Sequence, residues 1–139
     1  MLTKLEGLKH YFQSGATQSY AFRLLQLKRL KQIVLEHEKD LYQALHTDLK
    51  KSDEESWATE IGFFLNELNY TIDHLKEWMQ PNSVPTNLLN QPSSCYTVRE
   101  PLGVVCIIAP WNYPFQLLLT PMIGAIAGGN CVVLKPSEF

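Results

Sequence analysis

Residues 103–135 read GVVCIIAPWNYPFQLLLTPMIGAIAGGNCVVLK. The opening run, 103–109, is continuous, apolar and rich in β-branched residues, as strands covered on both faces are. From Pro114 to Ala127 the composition suits a helix, with Pro114 near the first turn, where a missing N–H does no harm. Gly128-Gly129 closes that helix, and Cys131-Val132-Val133-Leu134 is a second buried strand. Strand, helix and strand over this length make one βαβ unit, whose strands are expected to lie parallel with a right-handed crossover. A competing reading exists, because residues 115–134 are almost uncharged and about as long as a membrane span of ~20 residues. Against it, Pro121, Gly128-Gly129 and Asn130 interrupt the run where a soluble helix ends and a strand begins. Membrane association through this segment is therefore not expected.

Upstream the period is helical. Residues 18–50 read as one long amphipathic helix, with Leu27, Leu30, Val34, Leu41 and Leu45 on a single stripe. Arg23, Lys28, Lys31, Glu38 and Lys39 fall elsewhere and are expected in solvent. His37 and His46 have no companion ligands and read as ordinary helix residues. Ser52-Asp53-Glu54-Glu55 is a capping box, Ser52 accepting an orphan amide and Glu55 reaching back. It opens a second helix running to about Met79, with Ile61, Phe64, Leu65, Leu68, Ile72, Leu75 and Trp78 at helical spacing. Pro81 and Pro85 end it, and 82–94 is a connector. Tyr96-Thr97-Val98-Arg99 alternates as a strand does. The expected fold is α/β: a helical layer followed by one βαβ unit of a Rossmann-like parallel sheet.

Composition narrows the function. The 139 residues are 45% hydrophobic and 19% charged, enough apolar material for a core. Twelve Lys and Arg against 14 Asp and Glu leave a net charge of −2, without the basic excess of a nucleic-acid binder. Cys95, Cys106 and Cys131 are far apart and, with four His, show no metal-ligand spacing, so no metal site is expected. MLTKLEGLKHYFQSG lacks the apolar core of a secretory signal, so three reduced thiols and a cytoplasmic location are expected.

Two short stretches stand where α/β proteins place ligands, beyond the carboxyl ends of parallel strands. They are Pro110-Trp111-Asn112-Tyr113-Pro114 and Lys135-Pro136-Ser137-Glu138. The prolines stiffen the backbone that carries Asn112 and Lys135. Two plainer readings stay open: Asn112 as a helix cap, and Lys135 with Glu138 as a surface pair.

Residues 100–138, joining EPLG, PWNYP and GNCVVLKPSE, resemble the start of the cofactor-binding domain of the aldehyde dehydrogenase superfamily. WNYPF and the short region before it are similar to the branch of class 3 and fatty aldehyde dehydrogenases. The resemblance implies that Asn112 donates its side-chain amide to the aldehyde oxygen as an oxyanion develops there. It implies that Lys135, Ser137 and Glu138 lie at the adenosine ribose of NAD or NADP. The carboxylate suits ribose hydroxyls, and the ammonium suits a 2′-phosphate. Ile108, Pro110 and Trp111 match cofactor contacts made through backbone and apolar surface. Tyr113 and Tyr70 match aromatics of the substrate tunnel in the class 3 branch, with a plain core role as the alternative for Tyr70.

The same likeness divides the chain into a helical region (1–81), a connector with strands of an oligomerisation sheet (82–100) and the start of the NAD(P)-binding domain (101–139). It implies aldehyde oxidation to carboxylic acids through a cysteine thiohemiacetal, in an enzyme that is a homo-oligomer when complete. The family's nucleophilic Cys and general-base Glu stand far downstream of KPSE. No cysteine here matches that motif, so these residues alone are expected to be inactive. The alternative is a non-catalytic, truncated remnant that binds nucleotide or pairs with a full-length subunit.

Overall fold

The computed structural model describes residues 2–138. In chain order the elements are α1 (Leu2–Gln13), α2 (Tyr20–Glu36), α3 (Glu38–Leu49) and α4 (Asp53–Ser56). A π-helical turn, Trp57–Ile61, runs on into α5 (Gly62–Trp78). Next come β1 (Asn82–Val84), a 3₁₀ turn (Leu88–Asn90), β2 (Cys95–Thr97), β3 (Val104–Ile108), α6 (Gln116–Ala127) and β4 (Cys131–Lys135).

The βαβ unit is present as read: β3 and β4 pair in parallel, Val104 opposite Cys131 and Ile108 opposite Lys135, with α6 between them in sequence. Asn130 fastens its base. The side-chain carbonyl accepts from the Gly103 amide at 2.9 Å, and the side-chain amide donates to the Ala125 carbonyl at 3.2 Å. Gly129 turns the chain at φ +83°, a conformation costly for residues with a Cβ. Pro121 departs from expectation. It lies inside α6 rather than interrupting it, exposed to solvent, where losing one backbone donor is tolerable. Among the described residues no helix is long and apolar enough to cross a membrane, which removes the lipid-spanning reading of 115–134.

The expected helix over 18–50 is two helices. His37 leaves helical geometry at φ −106°, ψ 17°, ending α2 and opening α3, and its ring pairs with Asp40 at 3.0 Å. Its apolar stripe is otherwise as read, with Leu27, Val34 and Leu45 buried and Leu30 and Leu41 partly so. Arg23, expected in solvent, is buried at 7% exposure. Its Nε donates to the Thr17 carbonyl at 3.1 Å and its Nη1 to the Ala127 carbonyl at 3.0 Å. The second contact sets a cation on the carboxyl end of α6, where the helix dipole favours one. α2 is thereby tied to the βαβ unit, at a desolvation cost that lowers the guanidinium from its ordinary value.

Ser52 caps α4 by accepting from the Glu55 amide at 3.2 Å. Glu54 also turns toward this cap. Its own backbone N–H and the Ser52 hydroxyl hold that exposed carboxyl below its usual range. The expected residues of the second helix form the core: Ile61, Phe64, Leu65, Leu68 and Leu75 join Leu27, Val34, Leu45 and Ile123. α6 packs against both strands and also against α2 and α5, so it links sheet to helical layer. α1 had no counterpart in the sequence reading; it lies against β3 and β4, with the Phe12 ring beside Gly103.

The connector contains β1, which pairs antiparallel with β2, Asn82 opposite Thr97 and Val84 opposite Cys95. The strand expected at 96–99 is therefore shorter and begins one residue earlier. β3 is not covered on both faces within these residues: Cys106 and Ile108, which alternation puts on one side, are exposed.

Candidate functional site

Because β3 and β4 are parallel, the loops that follow them leave the sheet at the same end. The Ala109 amide donates to the Lys135 carbonyl at 3.2 Å, extending the ladder to the base of both loops. Asn112 and the group Lys135, Ser137 and Glu138 therefore share the carboxyl edge of one sheet. Ile108 is 71% exposed at the rim, Pro110, Trp111 and Asn112 are exposed, and Tyr113 is borderline. Lys135 Nζ lies 3.1 Å from Glu138 Oε1 and donates to the Pro136 carbonyl at 3.3 Å. Both are well exposed, so the plain surface pair is present in fact. Ser137 is half-buried.

Asn112 is not the cap of α6. The Phe115 and Gln116 amides donate to Glu60 Oε2 at 2.9 and 3.2 Å, a cap supplied by a distant residue. The other oxygen, Oε1, accepts from Lys51 Nζ. The same ammonium donates to the Asn112 carbonyl at 3.4 Å and stands 4.2 Å from the centre of the Tyr113 ring. Glu60 is completely buried and Lys51 is 6% exposed.

Local chain geometry delivers both groups. Lys50 ends α3 in a left-handed conformation, φ 57°, and Ser52 opens α4, so Lys51 turns inward between two helix ends. Glu60 lies in the π-turn, where one inserted residue shifts the buried face. Gly62 permits that turn, since a Cβ there would stand 2.8 Å from the Trp57 carbonyl oxygen.

Sequence reading missed Lys51 and Glu60. The available signal was the position of Glu60, four residues before Phe64 on the apolar stripe. Tyr70 is 52% exposed on α5 and packs tilted against His74 and Trp78, at centroid distances of 4.1 and 5.8 Å. It lies ten residues beyond Glu60, or about 15 Å at 1.5 Å per residue, so its ring partners are distinct from the loop at 110–114. Of the cysteines, Cys131 is buried and its thiol is pushed up by that burial, Cys95 lies in the β1–β2 hairpin, and Cys106 is within β3.

The aldehyde dehydrogenase family profile matches residues 9–139. Over 136 residues the chain is 47% identical to mouse aldehyde dehydrogenase family 3 member B3, covering 98% of this chain and 28% of that protein. It is 46% identical over 128 residues to the dimeric NADP-preferring aldehyde dehydrogenase of dog, covering 92% and 28%. The substrate-bound structure of Staphylococcus aureus AldH superposes with a TM-score of 0.95 at 43% identity, covering 98% of this chain and 30% of that one. The chain thus spans somewhat over a quarter of the length of the relatives it matches. With the family profile over nearly the whole chain and these similarities beside it, the chain belongs to the aldehyde dehydrogenase family, among relatives of class 3.

Proposed function

We propose that the chain is the amino-terminal part of an NAD(P)-dependent aldehyde dehydrogenase that oxidises aldehydes to carboxylic acids, with Asn112 as oxyanion donor. The observation that carries this reading is the loop at 110–114. It presents an exposed Asn112 beyond the carboxyl end of a parallel strand, on backbone fixed by buried charges. Nucleophilic attack on an aldehyde puts negative charge on oxygen, and a pre-oriented amide donor stabilises that charge without reorganising. The nucleophile belongs to the part of the enzyme beyond these residues.

The donor set suits a nicotinamide dinucleotide in part. Glu138 is an acceptor for ribose hydroxyls, and Lys135, already within 3.1 Å of it, is a cation for a 2′-phosphate. Ile108, Pro110, Trp111 and Ser137 would complete that wall. The bound cofactor supplies the hydride acceptor. NADP use is supported by the dog relative, named NADP-preferring, while the carboxylate favours NAD. Tyr113 and Tyr70 would border the aldehyde path. In this reading 1–81 is the helical region, 82–100 carries strands for a homo-oligomeric sheet, and 101–139 begins the NAD(P)-binding domain. The three free cysteines suit a reducing compartment, the cytoplasm.

The test is a chimera in which residues 1–139 replace the matching segment of the Staphylococcus aureus enzyme. Asn112→Ala in that chimera is expected to lower kcat by about 10²–10³, with little change in NAD(P) affinity. An unchanged acylation rate would remove Asn112 from this role.

A further inference from the structure

We propose that Lys51 and Glu60 are positioning residues, a buried ion pair that fixes the loop carrying Asn112 by gripping its backbone from both sides. The proposal rests on the reading of Asn112 as the oxyanion donor and assigns what holds that donor in place.

Four of the five positions 112–116 are held by this pair. The Lys51 ammonium meets the Asn112 carbonyl and the Tyr113 ring, and the Glu60 carboxylate meets the Phe115 and Gln116 amides. Those two amides are among the orphan donors of a helix start, where an anion is also favoured by the dipole. The bond between the two side chains closes the circuit. A carboxylate is acceptor-only and an ammonium donor-only, so Glu60 serves the two amides and Lys51 the carbonyl.

Stability does not account for the arrangement. Taking two ions out of water is costly, and well-packed apolar residues replace such pairs with equal or better stability. An apolar pair could fill the space but could not hold a carbonyl on one flank and two amides on the other. The grip falls on the main chain of Asn112, so its side chain stays exposed and available. An oxyanion donor works only when held to about 0.5 Å, which a surface loop does not achieve unaided.

The experiment is a double-mutant cycle in the chimera. Glu60→Gln is expected to lower kcat about a hundredfold, as a misplacement near 1 Å does, without changing NAD(P) affinity. In an Asn112→Ala background the same substitution is expected to cost no more than about twofold, because it acts through the residue already removed. Lys51→Met should behave like Glu60→Gln, and Lys51→Arg should keep most of the rate.

Equal losses from Glu60→Gln in both backgrounds would overturn the positioning role and leave Asn112 as the donor. No loss from Asn112→Ala alone would overturn the reading beneath it. A second measurement needs no turnover. In the 139-residue chain, Glu60→Gln should speed backbone amide exchange at Phe115 and Gln116 at least tenfold more than in β3 and β4, whose amides report the overall loss of stability. Uniform acceleration along the chain would mean that the pair only stabilises the fold, and would overturn the proposal.

Discussion

Gly129 follows the end of one helix and Arg23 lies off the apolar stripe of another, yet they form a single contact. A Cβ at Gly129 would stand 2.5 Å from Arg23 Nη2, and the backbone there is already at φ +83°. Gly129→Ala therefore combines an unfavourable left-handed backbone, worth about 1–2 kcal/mol, with displacement of a buried guanidinium from the Ala127 carbonyl. It should lower the melting temperature of the chain more than Arg23→Lys, which keeps one donor. Gly124→Ala is the control: nothing lies within 4 Å of its would-be Cβ, and a glycine inside α6 gives way to a better helix former. That variant should gain about 0.5–1 kcal/mol in thermal or urea unfolding. Equal effects at both positions would show that crowding by Arg23 is not what selects glycine at 129.

At the scale of elements, the βαβ unit was legible because its signals are local: an apolar run, a proline near the first turn, a glycine pair, and a second run. The stripe of the second helix was legible for the same reason. What was hidden lies where an element departs from its regular period. His37 splits a helix whose apolar spacing continues across the break, so periodicity alone sees one helix. The π-turn before Gly62 advances the face by one residue and carries Glu60 inward, whereas hydrophobic patterning counts any Glu as solvated. Lys51 is hidden by its neighbours: with a helix end on each side and Lys50 directly before it, it reads as one more solvated charge. Their pairing makes a prediction about stability distinct from catalysis. Glu60→Gln alone leaves the Lys51 ammonium buried without a counter-charge and should cost about 3–5 kcal/mol in urea denaturation. Lys51→Met with Glu60→Met should recover most of that loss while the chimera remains slow. A double variant as unstable as the single one would mean that the pair is worth more to folding than its desolvation cost allows.

For the whole molecule, the distribution of exposed apolar surface says where further structure belongs. Leu102 is 90% exposed and Ile108 71%, and Cys106 shares the open side of β3 with Ile108. Parallel sheets are normally buried on both faces by helices, so the uncovered face of β3 is a surface for a further packed layer. Two outcomes follow for the 139-residue chain. On the proposed reading the nucleophile comes from outside these residues, so purified chain should show no NAD(P)-dependent aldehyde oxidation in a spectrophotometric assay, and turnover by it would contradict that reading. Its thiols should also respond in a set order: iodoacetamide should modify Cys106 well before Cys131, which is buried and whose thiol burial pushes up. Placed in the chimera, Cys106 should become protected, because segments of the longer chain pack over the open face of β3. Labelling of Cys106 that stays as fast in the chimera as in the isolated chain would mean that nothing packs on that face, and would remove the structural reason for reading residues 101–139 as the beginning of a larger nucleotide-binding domain.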